Sequence, residues 1–199
     1  MSVTIPMPAI VRPPAPAKIR ILETAGNLFY EAGIHSVGVD RLISESAVTK
    51  ATFYKHYGSK DRLIVEYITA RHNNERQRLE ALTAANSDAE AALRALVSAV
   101  ATEVSTPGFR GCAFLNAAAE FPDPLHPVRE IIGRHRDWYT EFLAELLQEI
   151  GHDMAGDAAD ELMLARDGAM SGGYAGDPIA ATAALGRVAD RVILTARAA

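Results

Sequence analysis

A single cysteine, Cys112, is present in the 199 residues. That rules out an intramolecular disulfide and makes a reducing, cytoplasmic setting the expectation. Long hydrophobic runs are missing too: no stretch approaches the ~18 uninterrupted apolar residues that a membrane-spanning helix needs, and proline breaks the segment before Lys18, so it lacks the core of a signal peptide. Aromatic residues are few, at 7%. Alternating β-branched runs and Asn-Gly hairpin signals are absent, which argues against a sheet. Catalytic patterns are lacking as well. There is no Gly-x-Ser-x-Gly, no phosphate-binding glycine loop and no His-Glu-x-x-His, and the six histidines (35, 56, 72, 126, 135, 152) show no paired spacing. An enzyme, a cofactor and a metal site are therefore not expected. The carboxylates Asp157, Asp160 and Glu161 fall at an expected helix start, where the helix dipole explains them.

What is present reads as helix. Residues 1–16 hold five of the ten prolines and are expected to form a flexible arm. From Ala17 onward, apolar spacing and caps predict nine helices. The first covers 17–32, with Ile21, Leu22, Ala25, Leu28, Phe29 and Ala32 on one face and Gly33 as its stop. Two short helices follow over 39–46 and 49–56, and Ser59 caps the fourth. Others are expected over 87–104, 110–120, 127–150 and 157–174, with a last one from Pro178 to about 196, capped by Asp177. In the helix from Pro127, the stripe Val128, Ile131, Ile132, His135, Trp138, Tyr139, Phe142, Leu146 and Ile150 marks the buried face.

Charge is divided unevenly. The net charge is −5, yet residues 1–62 carry eight Lys/Arg against five Asp/Glu, whereas the remainder carries twelve against twenty. A mildly basic end on an acidic body fits a nucleic-acid-facing head. Two helices of about two turns each, separated by two or three residues, can pack at a steep angle and present the second outward. Val39, Leu42, Ile43, Val48 and Phe53 can tie the pair to the first helix. Left over are Thr49, Lys50, Thr52, Tyr54, Lys55 and His56, a mixture of cations, hydroxyls and a phenol suited to phosphates and base edges. Lys60, at the start of the fourth helix, adds a phosphate-binding cation.

On Ile21-Leu22, Ala25, Leu28-Phe29, Gly33, Val39, Leu42, Val48, Lys50, Thr52-Phe53-Tyr54, His56-Tyr57 and Ser59-Lys60-Asp61, the chain resembles the TetR family of repressors. It departs from that pattern at Val37-Gly38, where a Thr-Ser/Thr pair is usual, and at Ser46-Ala47, where Ala-Gly is usual. The resemblance implies an all-α protein with three segments: the arm (1–16), a helix-turn-helix DNA-binding domain (17–62) and a ligand-sensing and dimerisation domain (63–199). It implies base-edge contacts from Thr49, Lys50 and Thr52, phosphate contacts from Tyr54, His56 and Lys60, and either from Lys55. A homodimer would hold its reading helices roughly 34–40 Å apart on a near-palindromic operator. The function implied is that of a regulator, most simply a repressor, released from duplex DNA by a small-molecule effector.

In the body, Gly111-Cys112-Ala113-Phe114-Leu115-Asn116 followed by Glu120 looks like a sensor segment of this family, with helices four to seven enclosing a pocket and the last two forming the dimer. Phe114, Asn116, Glu120, His135, Trp138 and Phe142 are the candidate ligand-binding residues. Half of them are apolar, which points to an uncharged or aromatic effector. Each has a plainer alternative: His135 as a hydrogen-bonded core histidine, Glu120 facing solvent, the aromatics as core. Control by a protein partner, or by oxidation of Cys112, is the alternative to a small-molecule effector; Cys112 can equally be a small buried hydrophobe.

Overall fold

The structure is a computed structural model that describes residues 16–198. The expected arm over residues 1–16 lies, but for Pro16, outside the described residues. Among these residues there are nine helices and no strands.

The head is built from α1 (Ala17–Ala32), α2 (Val39–Glu45) and α3 (Lys50–Tyr57). Its core is Ile21, Ala25, Leu28 and Phe29 of α1, Leu42 of α2, and Phe53 and Tyr57 of α3, all buried, with Ile34 and Val37 from the connection. The spacing of the α1 residues explains why this segment is helical: they recur every three or four positions and form one apolar stripe. Gly33 ends α1 in the left-handed region, at φ 89°. Val39, Ile43 and Val48 pack against this core while remaining only partly buried.

The body comprises α4 (Lys60–Ala84), α5 (Ala89–Val104), α6 (Ala113–Glu120), α7 (Pro127–Ile150), α8 (Ala155–Ala175) and α9 (Pro178–Ala198). The expected caps of α4 and α9 are present: Ser59 Oγ accepts from Arg62 N, and Asp177 accepts from Ile179 N and Ala180 N. α8 packs along both α7 and α9, α5 fits against α7 and α9, and α4 runs from the head along α7. Leu63, Ile64, Tyr67 and Ile68 of α4 make the head core and body core one contiguous cluster.

Several boundaries differ from the sequence expectation, each for a local reason. α3 begins at Lys50 because Thr49 is its cap, the hydroxyl accepting from Thr52 N at 3.1 Å. α5 begins at Ala89 because Asp88 caps it through Ala91 N at 2.8 Å. α6 begins at Ala113 instead of 110 because Gly111, at φ 82°, takes a left-handed conformation that a right-handed helix cannot contain. α8 begins at Ala155, ahead of the expected 157, and buries Ala155, Ala158 and Ala159. On α7 the buried stripe includes Leu143 and Leu147, while Trp138, Phe142 and Ile150 are only partly buried. At 3.6 residues per turn a stripe drifts around a helix this long, and α7 is covered on more than one side.

Phe53 has no exposed surface and ties α3 to the head. Phe53→Ala is expected to cost about 3–5 kcal/mol, read as a lower urea midpoint by circular dichroism.

Candidate nucleic-acid interface

The turn between α2 and α3 is held from three sides. Ser46 is buried and its hydroxyl donates to Leu42 O at 2.6 Å. Ala47 adopts φ 51°, a left-handed conformation at a position where glycine would be free of strain. Arg20 of α1 donates from Nε to Ser46 O at 3.3 Å and reaches Ala47 O at 3.5 Å. Behind α3, the Tyr57 hydroxyl donates to Lys18 O at 2.8 Å. Burial, with Glu66 nearby, pushes that phenol up to about 12.

With Phe53 and Tyr57 turned inward, α3 leaves Lys50, Tyr54, Lys55 and His56 exposed, and it contains no acidic residue. Tyr54 is 42% exposed and lies edge-on to Phe53. Thr49 and Thr52 meet hydroxyl to hydroxyl at 2.8 Å on the same end of the helix, Thr49 exposed and Thr52 half-buried. Six of the seven DNA-contact candidates thus belong to α3 and its cap. The seventh is set apart: Lys60 is half-buried, its ammonium 5.9 Å over the Phe29 ring, and burial lowers its pKa. Arg20 and the Ser46 hydroxyl were missed from the sequence, because a residue one helix away carries no local signal of the turn it supports.

A family model described as bacterial regulatory proteins of the tetR family matches residues 21–67, which span α1 to the first turns of α4. A TetR-family transcriptional regulator from Streptomyces coelicolor is 38% identical in sequence, superposes with a TM-score of 0.86, and is matched over 90% of this chain and 95% of its own. The chain belongs to the TetR family. Among curated proteins, this TetR-family regulator is 26% identical to the HTH-type transcriptional regulator LmrA of Bacillus subtilis over 132 residues, 65% of this chain and 70% of that one. It is 31% identical to a second HTH-type regulator of the same organism, YdgC, over 67 residues, 34% of each chain. The protein is therefore a DNA-binding transcriptional regulator.

The body of this TetR-family protein contains a cavity of about 820 Å³ between α4, α5, the start of α6, and α8. Of the six ligand candidates only Phe114 lines it. His135 lies behind Phe114, their rings stacked at 3.6 Å. Its Nδ1 is 3.2 Å from His72 Nδ1, and its Nε2 has no hydrogen-bond partner among the described residues. Burial first, then Arg166, His72 and Arg136, pull its pKa down to about 3, so it is neutral at physiological pH. Trp138 and Phe142 face a different cleft, between α4 and α7, where Arg76 sits 5.6 Å over the indole. Asn116 holds the turn before α6, donating to Arg110 O at 2.7 Å.

Glu120 neither lines the cavity nor faces open solvent. Its carboxylate accepts from the backbone N–H of Ile34 at 2.8 Å and of His35 at 2.7 Å, in the head segment after α1. The His35 ring returns to Glu120 O at 2.8 Å and packs on Phe121. Gly33 is needed here for its positive φ, and a Cβ on it would stand 3.4 Å from Glu120 Oε1, about van der Waals contact. The residues before α6 are tied to the head as well: Tyr30 Oη donates to Gly111 O and accepts from Arg110 N, each at 2.9 Å. The whole α6 segment is thereby attached to the head at both ends.

Two outcomes are expected. Glu120→Ala should speed amide hydrogen exchange at Ile34 and His35 selectively and lower stability by about 2 kcal/mol, since both bonds are charge-assisted but partly wet. His135 binds a proton below about pH 6.5 when unfolded but only near pH 3 when folded. Stability should therefore fall as pH drops through that window, by up to about 1.4 kcal/mol per pH unit from this group. His135→Phe should flatten the slope in denaturation series at several pH values.

Proposed function

We propose that this TetR-family protein is a homodimeric, effector-responsive regulator, acting as a repressor that leaves a near-palindromic operator when a small molecule fills the body cavity. The observation that carries this reading is the position of α6. Its first residues, Cys112 to Phe114, are part of the cavity wall, and its last, Glu120, grips the head. The helix has only eight residues, about 12 Å at 1.5 Å per residue. A ligand that shifts its front end has a short, stiff path to the α1–α2 connection. A differential affinity of about 1.4 kcal/mol between two head positions changes operator binding tenfold, and coupling of 1–3 kcal/mol suffices for a switch.

In this reading α1–α3 form the DNA-binding unit and α4–α9 the sensing and dimerisation unit. The dimer is supported by apolar side chains left in water on the last two helices: Leu164 at 69%, Ile179 at 80% and Leu194 at 59% exposure. On DNA, Thr49, Lys50 and Thr52, at the leading end of α3, read base edges. Tyr54 and His56 meet the backbone, Lys55 reaches either, and Lys60 joins the backbone contacts by leaving the Phe29 ring.

Selection of bound duplexes from a random pool, followed by anisotropy titrations over a range of salt, tests the reading. Lys60→Ala is expected to weaken binding to all sequences alike and to reduce the log–log salt slope by about 1. Lys50→Ala is expected to cost about 1–3 kcal/mol of discrimination at one base position. A protein with no salt-sensitive affinity for any duplex would end this account.

A further inference from the structure

Arg166 lies in the middle of α8 and is 6% exposed. Its Nη1 is 3.2 Å from Asp167 Oδ1 and 3.9 Å from Cys112 Sγ, its guanidinium lies 4.7 Å over the Tyr139 ring, and its Nε has no hydrogen-bond partner among the described residues. The other Asp167 oxygen is taken by Arg136 at 2.6 Å. Two guanidiniums thus share one carboxylate, and the group left with unmet donors is the buried one. An incompletely compensated buried charge is costly, and an anion placed against it relieves that cost.

The cavity wall is arranged to receive one. Arg166 is among its lining residues, and from α4 Arg71 lines it too. Arg71 has no carboxylate within 4 Å among the described residues; its guanidinium lies over the rings of Tyr30 and Tyr67, at 5.2 and 5.6 Å. The carboxylates in the wall do not cancel these charges. Glu75 is held by Arg78 through two bonds of 2.7 and 2.9 Å, and Glu103 is exposed to water at the end of α5. The N-terminus of α6 reaches the same wall at Cys112 and Ala113 and has no side-chain cap. Its positive end faces a cavity that already holds a buried cation. Phe114 and Met170 supply apolar surface beside it.

We propose that the effector of this regulator is a small organic monoanion, its carboxylate forked on Arg166 with Arg71 as second cation and its body against Phe114 and Met170. This deepens the effector-responsive reading and rests on it. It also revises the expectation of an uncharged ligand, because five of the six residues that suggested one do not line the cavity. One carboxylate can answer both Arg166 and Arg71, and Glu75 and Glu103 on the same wall oppose a second negative charge.

The test uses the full chain with matched probes: benzoate, phenylacetate and octanoate, their neutral amides, and inorganic phosphate. Binding is followed by thermal shift and calorimetry, and operator release by anisotropy. At least one acid should stabilise the protein while its amide does not. Arg166→Met should weaken that acid by about tenfold or more, the loss of one charge-assisted fork, and Arg71→Met should weaken it less. Should Arg166→Met fail to fold, Arg166→Lys keeps the charge without the fork and is expected to weaken the acid several-fold, with Arg71→Met as the second reading. Equal binding of acids and amides, acid binding that survives in folded Arg166→Met, protection by phosphate alone, or no response to any acid would each overturn the proposal. A neutral compound that binds and releases the operator would overturn the anion assignment and leave ligand response standing. An acid that binds through Arg166 without changing operator affinity would do the reverse.

Discussion

When α1 stops at Gly33, the backbone amides of Ile34 and His35 lose the acceptors a continuing helix would have offered. Buried or half-buried N–H groups must find partners, and here both find the same carboxylate, Glu120, at the far end of α6. Turning the head away from the body breaks both of these bonds at once. Tyr30 repeats the constraint at the other end of α6, bridging Arg110 and Gly111. Head orientation is thus set by a segment that also forms cavity wall.

On the other side of the head, apolar anchors decide which polar groups are presented. Phe53 and Tyr57 face inward, so the intervening positions of α3 must face water, and these hold cations and hydroxyls without a carboxylate. A protein with an acidic total charge can hold a cationic strip in this way, because an ion is attracted by local charge within about a Debye length, roughly 8–10 Å at physiological salt, more than by the sum over the molecule. The turn that aims the strip is held in a mildly strained conformation at Ala47, and Arg20 and Ser46 hold it there.

The body treats charge in the opposite way. Arg166 is removed from water, and Asp167, which must also serve Arg136, answers it only in part. His135, close by, stays neutral because burial and the surrounding cations oppose its protonation. The interior next to the cavity is therefore electropositive, and an anion placed there would be attracted by that local field.

Much of this protein could be read from its chain alone, and the readable part is local. Helical spacing, Gly33, Ser59, Asp177 and Pro127 act within a turn or two of themselves, so the helices were legible to within a few residues. The recurring pattern from Ile21 to Asp61 made the helix-turn-helix legible with them. The lining of the cavity was not. Asn116, Glu120, His135, Trp138 and Phe142 looked like pocket residues because of where they fall along the chain, yet which of them faces the cavity depends on how α6 and α7 are rotated against α4 and α8. The same rotation brings Arg166 beside Cys112, 54 positions away, and Glu120 against Ile34, 86 away. Contacts at such separations leave no periodic trace in a sequence, and only the tertiary packing decides them.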